Sequence, residues 1–391
     1  DVHVHRYRLP EGAGWNELLG DVRRMSLTDF DRNRALWEAV LIEGLPRGEV
    51  AFALKLHHSI ADGQATVMMA LSLFELGSDP NPDDPPTPEV PHGEDVSMLD
   101  IARANVEDNV SWFRQSAEGV VRAGGNVLLQ ALGDPAGALE AVRQTVDSVS
   151  KAVSMPEAPL SPLWTERGTT YHFGAFEFPF EHLRLAAKSR GFSVNDAFMA
   201  AVASAVDRYH QRYGAFVPEL RVNVPISLRG DAGDRSGQAS NAVAIARFEM
   251  PVEGLDVEDR MAVIHELVDT WRGAPAMRMA DPLADVSWFV PVPVLAHAAK
   301  ASDITTSNVP GPPIALYLAG ARMVAAFPLV ATIGAAVNVT MVTYDGATCI
   351  GVSTDDRSIP NHAELLEDLR WGFELITGDV VGPADRYGTG T

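Results

Sequence analysis

The sequence predicts an α/β protein with a mixed sheet in each half, and three observations carry that expectation. Runs such as VHVHRYRL, VAFALKL and VNVTMVTY alternate with the period of two expected of half-buried strands. Runs such as VNDAFMAAVASAVDRY show the helical period, and they interleave with the strands without a strict strand–helix–strand rhythm. Asp345-Gly346 then stands between VNVTMVTY and ATCIGVST, the strongest hairpin signal in the chain. The 391 residues leave room for two or three domains and an ample core.

Taken in order, Val2 to Leu9 reads as a strand. Glu11 to Met25 reads as a short helix with Trp15, Leu18, Leu19 and Val22 on its apolar face. Trp37 to Leu45 is a second strand, and PRGE turns the chain into a third that opens at Val50. Alternation there places Val50, Phe52, Leu54 and Leu56 on one buried face. A helix over Gln64 to Leu76 follows and is closed by Gly77. Gly77 to Val96, dense in proline and acid, cannot bury apolar surface and is expected to be an exposed loop. Met98 to Ser154 turns helical, with Asp134-Pro135 opening the amphipathic run Ala138 to Val153.

APLSPLW separates the halves, which gives an N-terminal domain of residues 1–154, a linker of 155–168 and a C-terminal domain of 169–391. The second half begins with a strand over Thr169 to Phe178 and a helix over Phe180 to Arg190, ended by Gly191. Ser193 caps the next helix. Strands are expected over Leu220 to Ile226, Asn241 to Val252 and Ile304 to Gly311, with a helix over Val257 to Trp271. The loop SLRGDAGDRSGQ joins the first two of those strands. Asn361 is placed as the cap of a last helix, with Gly378 after it. No internal repeat is visible.

Composition narrows the function. A net charge of −21 leaves no basic face to release counterions from nucleic acid, and it argues against electrostatic capture by an anionic membrane. Cys349 stands alone, which excludes a disulfide framework and suits a reducing compartment. No secretory signal is visible. Asp1 is not an initiator methionine, so the start is processed or preceded by further residues. Met323 to Tyr344 carries no charge and is about long enough to cross a bilayer. Pro328, Gly334, Asn338 and the β-branched VNVTMVTY favour buried strands instead.

The chemistry-bearing stretch is HHSIADG, at the end of the strand that opens at Val50. A neutral imidazole can take a proton from a hydroxyl or thiol near neutral pH. His58 shares the face of Leu54 and Leu56, whereas His57 points the other way. Asp62 can cap the following helix or pair with an arginine, and Gly63 leaves room for substrate to pass the backbone. A metal reading fails for want of further ligands at suitable spacing. A serine hydrolase reading fails because no G-x-S-x-G occurs, and phosphate-binding glycine fingerprints are absent as well.

HHSIADG resembles the HHxxxDG signature of the CoA-dependent acyltransferase superfamily. The wider pattern is similar to the bacterial wax ester synthase/diacylglycerol acyltransferase family, in four further stretches. FDRNRALW resembles its PLDRxRPLW, and VNDAFMA its ND motif at Asn195 and Asp196. VNVPISLR resembles its VPVSLR, and TSNVPGPPIALYLAGARM its SNVPGP motif with the strand beyond. The likeness runs over nearly the whole chain. Departures are Phe30 for a leucine, Ala35-Leu36-Trp37 for PLW, and Gly237-Gln238 where the family has glycine-asparagine. Family members also carry a first strand upstream of what is here Asp1, so the first domain is expected to lack it.

The resemblance implies two chloramphenicol-acetyltransferase-like mixed-sheet domains with a substrate tunnel between them. It implies transfer of a long-chain acyl group from acyl-CoA, as substrate and without a cofactor or metal, to diacylglycerol or a long-chain alcohol. The products would be triacylglycerol or wax ester, made in the cytoplasm with peripheral contact at the inner membrane or lipid droplets. His58 would be the general base, with Asp62 as a brace and His57 structural. Arg229 is the candidate ion partner of Asp62. Asn195, Asn308 and Ser307 are candidates to hold the oxyanion or line the tunnel. Trp37 reads as core, and Met68, Met69 and Phe74 are candidates to line an acyl tunnel, though helical methionines are usually plain core. Two rivals stand beside this reading. One is a superfamily acyltransferase with another alcohol acceptor or a carrier-bound donor. The other is a non-catalytic lipid-binding relative.

Overall fold

The computed structural model describes residues 2–57, 59–60, 69, 73–79, 143, 158–227, 243–273, 297 and 299–379. Two compact units divide the chain. One comprises Asp1–Pro80, Met155–Gly273 and Pro291–Thr391, the other Asn81–Ser154 and Ala274–Val290. Every element below belongs to the first unit. The expected helices over Gln64 to Leu76 and Met98 to Ser154, and the loop SLRGDAGDRSGQ, fall wholly or mostly outside the described residues.

The first half holds a mixed three-stranded sheet. Strands β1 (Val4–Arg8) and β2 (Trp37–Glu43) run parallel, with Val4 beside Ala39, and β3 (Ala51–Leu56) lies antiparallel to β2, with Trp37 beside Leu56. Helix α1 (Trp15–Ser26) covers it, and Leu18, Val40 and Ile42 form a small core with Trp15, Val22 and Met25 packed around it. The helix begins four residues later than its periodicity suggests. Gly12 takes a positive φ of 82° and turns the chain before the helix can start. In the PRGE turn, Arg47 and Gly48 take successive positive φ values of 64° and 75°.

β3 departs from expectation in its buried side. Ala51 and Ala53 pack against the small core, while Val50 and Phe52 are 49% and 36% exposed. Alanines let α1 approach closely, so the larger residues lie on the opposite face, where Phe52 meets the ring of Phe74 edge-on at 6.4 Å.

The second half is built on six strands. They are β4 (Tyr171–Pro179), β5 (Glu219–Ser227), β6 (Val243–Pro251), β7 (Ile304–Val309), β10 (Val337–Tyr344) and β11 (Ala347–Asp355). A separate two-stranded ribbon comprises β8 (Tyr317–Leu318) and β9 (Ala321–Arg322). The sheet order is β4-β11-β10-β7-β5-β6, with β7 parallel to both β10 and β5 and the other pairs antiparallel. Asp345 and Gly346 turn the β10–β11 hairpin with φ values of 44° and 79°, as the sequence predicts for a primed turn.

One face of this sheet is covered by α2 (Phe180–Ser189), α3 (Val194–Arg212), α4 (Val257–Gly273) and α5 (His362–Thr377). Ile304, Val337, Val339, Met341, Ile350 and Val352 face them, each at most 2% exposed. Gly372 lets α5 press on α3, since a Cβ there would sit 2.3 Å from the Ala201 carbonyl oxygen. The last helix differs from expectation at its start. Asn361 occupies the cap position but makes no capping bond with its side chain, which donates to Tyr213 Oη instead.

The opposite sheet face is crossed by residues 323–336. Strands were expected throughout Met323 to Tyr344, but strand structure resumes only at Val337. The segment instead lays its carbonyls on β10 and β11, where Ser353 Oγ donates to the Val330 oxygen and Asn338 Nδ2 to that of Ala331. Gly351 leaves the necessary gap, as a Cβ there would lie 1.8 Å from the Pro328 oxygen. Among the described residues no helix is long and apolar enough to cross a membrane.

Candidate active site

His58, Asp62, Gly63, Arg229 and Met68 lie outside the described residues. What precedes them is well tied. Lys55 Nζ donates to the Thr28 carbonyl at 2.6 Å and sits 4.2 Å over the ring of Phe30. His57 falls on that same side of β3, 5.9 Å edge-on from Phe30, and its N–H donates to the Leu36 carbonyl at 3.0 Å. Its Nδ1 accepts the Ser59 N–H at 3.2 Å and lies 2.7 Å from Ser59 Oγ, and its carbonyl accepts from Ile60. An exposed imidazole is thus committed to closing the turn that follows the strand.

The ND motif opens α3, and its two residues have different surroundings. Asp196 is 1% exposed. Its carboxylate accepts the Ser193 N–H at 2.9 Å while Ser193 Oγ accepts the Asp196 N–H at 3.2 Å, a capping box. His265 Nδ1 of α4 reaches the same carboxylate at 2.9 Å. A negative charge at a helix start is favoured by the helix dipole, so Asp196 locks α3 in place. Asn195 stays partly exposed, and among the described residues its amide donates only to the weak acceptor Met199 Sδ at 3.5 Å.

Register then sorts the β7 candidates. Consecutive strand residues point to opposite faces. Asn308 stands in a row with Met341, Ile350 and Phe176, on the helix-covered face. Ser307 stands beside Thr340 on the other face, so the two cannot line the same surface. The structure therefore puts Asn308 on the helix-covered face and Ser307 on the opposite one, while Asn195 stands in the first turn of α3. Beyond Asn308, the motif turn requires its glycine, because a Cβ on Gly311 would lie 2.0 Å from the Thr343 oxygen.

The base of β7 is held by residues that sequence reasoning did not find. Asp303 is fully buried, and its carboxylate accepts the N–H groups of Leu160, Ser161 and Arg221 at 3.1, 3.0 and 2.9 Å. Asp355 accepts those of Gly168, Arg357 and Ser358. Between the two, Arg167 donates to the carbonyls of Gly334 and Ser302, each at 2.8 Å. Burial lowers the Arg167 pKa, opposed by Asp303 and Asp355. Residues 158–168 are thereby stitched onto the second half. Their acceptors are distant in sequence, so no local pattern could signal them.

Ser161 and His210 form a pair that superficially suggests nucleophilic catalysis, 2.7 Å apart. His210 Nδ1 donates to the Val206 carbonyl at 2.6 Å, which leaves Nε2 to accept the Ser161 hydroxyl. Both residues are 1% exposed, and Ser161 Oγ also accepts from Leu163 and Trp164. No substrate reaches such a pair, and its work is structural. Burial holds the His210 imidazole below its ordinary pKa. Among the described residues no cluster of His, Cys, Asp and Glu could hold a metal ion.

Comparison with known proteins decides the family. Residues 1–198 match the wax ester synthase/diacylglycerol acyltransferase catalytic domain, and 239–377 match the C-terminal domain of the same family. The chain belongs to the wax ester synthase/diacylglycerol acyltransferase family. A Mycobacterium tuberculosis protein named for a proposed diacylglycerol O-acyltransferase activity is 30% identical over 393 residues, covering 99% of this chain and 78% of its own length. A second from the same organism is 31% identical over 403 residues, covering 99% and 77%. Among solved structures, the wax ester synthase/diacylglycerol acyltransferase from Marinobacter aquaeolei VT8 matches with a TM-score of 0.61 at 20% identity, over 97% of this chain and 81% of that one. The first condensation domain of the calcium-dependent antibiotic synthetase matches with a TM-score of 0.52 at 16% identity, over 99% and 78%. These likenesses establish the chloramphenicol-acetyltransferase-like α/β fold that the motifs implied, and the family makes the chain an acyltransferase.

Proposed function

We propose that this chain moves a long-chain acyl group from acyl-CoA to the hydroxyl of diacylglycerol or of a long-chain alcohol, releasing triacylglycerol or wax ester and free CoA. The observation that carries the reading is HHSIADG directly after β3, in a chain that matches both domains of one acyltransferase family. His58 takes the acceptor's hydroxyl proton, and the oxygen attacks the thioester carbonyl. The tetrahedral intermediate collapses by breaking the C–S bond, and the CoA sulfur leaves with the proton that His58 returns. General-base help of this kind contributes roughly 10²–10⁴-fold.

Asp62 braces the turn with Arg229 as its partner, Gly63 gives the substrate passage, and His57 fixes the strand end. Asn195 at the start of α3 and Asn308 on the helix-covered face of β7 are the candidates to hold the oxyanion. The chain is organised as domains of 1–154 and 169–391 with 155–168 between them, and it meets its lipid acceptor at a membrane or droplet surface. No cofactor takes part.

The test supplies purified protein with long-chain acyl-CoA and either vesicle-borne diacylglycerol or hexadecanol. Free thiol and ester are then measured, the ester by mass spectrometry. Both products should appear in equal amounts with at least one acceptor. Ester formed only from a carrier-bound acyl donor would overturn the CoA assignment. Lipid binding without ester from any donor would leave the non-catalytic reading.

A further inference from the structure

The sheet of the second half has a polar row on the face away from its helices. Arg247 of β6 lies beside Asn223 of β5, Asn223 beside Thr305 of β7, and Thr305 beside Asn338 of β10. Ser307 follows two residues along β7 on the same face. Thr305 and Ser307 are partly exposed, and among the described residues their hydroxyls have no hydrogen-bond partner. Of the two amides in the row, Asn223 is turned towards Arg247: its Oδ1 receives Arg247 Nε at 3.2 Å and Ser302 Oγ at 3.1 Å, while Asn338 Oδ1 receives Thr340 Oγ1.

Arg247 is the anomaly. It is half-buried, yet no carboxylate pairs with it among the described residues, and the cation beside it is Arg221. Arg221, in the next cross-strand pair, does have an acid, Glu249 at 3.2 Å. With 52 acidic residues against 31 basic ones, the chain is not short of partners for arginine. Half-burying a cation that has no counter-charge among the described residues is costly, and an anionic ligand would offset that cost. Burial and the repulsion of Arg221 both hold the Arg247 guanidinium below its ordinary pKa.

We infer that Arg247, oriented by Asn223 through Nε, binds a phosphate group of the substrate on the sheet face it shares with Thr305 and Ser307. A guanidinium fork whose Nη atoms have no partner among the described residues suits the bidentate recognition of phosphate oxygens, and neighbouring hydroxyls can donate to the same group. The inference rests on the acyl-CoA reading for its first-choice ligand, since CoA carries several phosphates. Against a chain of −21 net charge such a polyanion needs a local attractor. Strand spacing puts Arg247 about 10 Å from Thr305 of β7, two strands away and two residues before the SNVPG motif begins.

Binding is the direct test, because it needs no turnover. CoA is titrated calorimetrically into wild-type protein, Arg247→Gln and Arg247→Lys, and vesicles containing phosphatidic acid are tested in parallel as the lipid source of the same chemistry. Arg247→Gln should weaken one of these probes about ten- to a hundredfold, the loss of one charge-assisted contact, while Arg247→Lys keeps part of it. Thermal melting guards against misfolding. Removing a half-buried cation that no carboxylate pairs with among the described residues should leave the melting temperature of Arg247→Gln unchanged or raised. Loss of CoA binding identifies the acyl donor, and loss of vesicle binding identifies a lipid headgroup. Unchanged affinity for both in a folded Arg247→Gln protein overturns the site. The two readings fail separately: Arg247-dependent CoA binding without ester sinks only the proposed reaction, and ester formation with Arg247-independent binding sinks only the phosphate site.

Discussion

The two faces of the six-stranded sheet are made of different materials. Towards the helices it presents Ile304, Val337, Val339, Met341, Ile350 and Val352, all essentially inaccessible. On the other side the same strands present Asn223, Thr305, Ser307, Asn338, Thr340 and Ser353, with Arg247 at the edge. Part of that polar face also holds the fold: Asn338, Thr340 and Ser353 are buried, and Asn338 and Ser353 donate to carbonyls of the crossing segment 323–336. Thr305, Ser307 and Arg247 stay partly exposed and are the residues open to a ligand, and the consecutive motif residues Ser307 and Asn308 fall on opposite faces.

Substitutions on either side sharpen the contrast. Asp303→Ala should be the most damaging, because it strips the acceptor from three buried N–H groups. At about 1–3 kcal/mol for each orphaned donor, even partial relaxation leaves a loss of about 4 kcal/mol in urea unfolding. Met341→Ala, on the helix face, should cost about 3 kcal/mol by the same measurement, since it empties a fully buried site. Thr305→Val, on the polar face, should change stability by less than about 0.5 kcal/mol. Equal losses for Met341→Ala and Thr305→Val would erase the distinction between the faces.

Between these falls a pH effect. Burial lowers the His210 pKa from its ordinary 6.5, so the unfolded chain binds this proton more readily than the folded one. Its neutral, Ser161-bonded form costs nothing above pH 6.5. Stability is lost as pH falls below that value, and the loss levels off beneath the folded pKa. Burial shifts His362 the same way, with His172 adding to it. Melting temperatures measured from pH 7.5 to 5 should therefore fall, and the fall should be shallower in His210→Gln.

What could be read from the sequence was local. Asp345-Gly346, the Ser193 cap and the left-handed Gly191 and Gly378 follow from the short-range chemistry of turns and helix ends. The alternation of β3 defines two faces but does not say which one is covered by α1. The small alanines admit α1, and Phe52 lies on the outer side. Asn361 looked like a cap until Tyr213, 148 residues earlier in the chain, competed for its amide. Asp303 gave no signal at all, since its acceptor role exists only once residues up to 143 positions away have folded onto it. The strand period of two already forbade Ser307 and Asn308 from sharing a surface, but choosing the helix-covered one required the register. HHSIADG was legible for a different reason, as its residue types carry their chemistry wherever the strand places them.

The central claim is that a base at position 58 activates the acceptor hydroxyl. Its most direct test is the initial rate of free-CoA release from long-chain acyl-CoA in the presence of diacylglycerol or hexadecanol, for wild-type protein and His58→Ala of matched melting temperature. The rate should fall roughly 10²–10⁴-fold in the variant while CoA affinity stays within a few-fold. A folded His58→Ala protein that releases CoA and forms ester at the wild-type rate would contradict it.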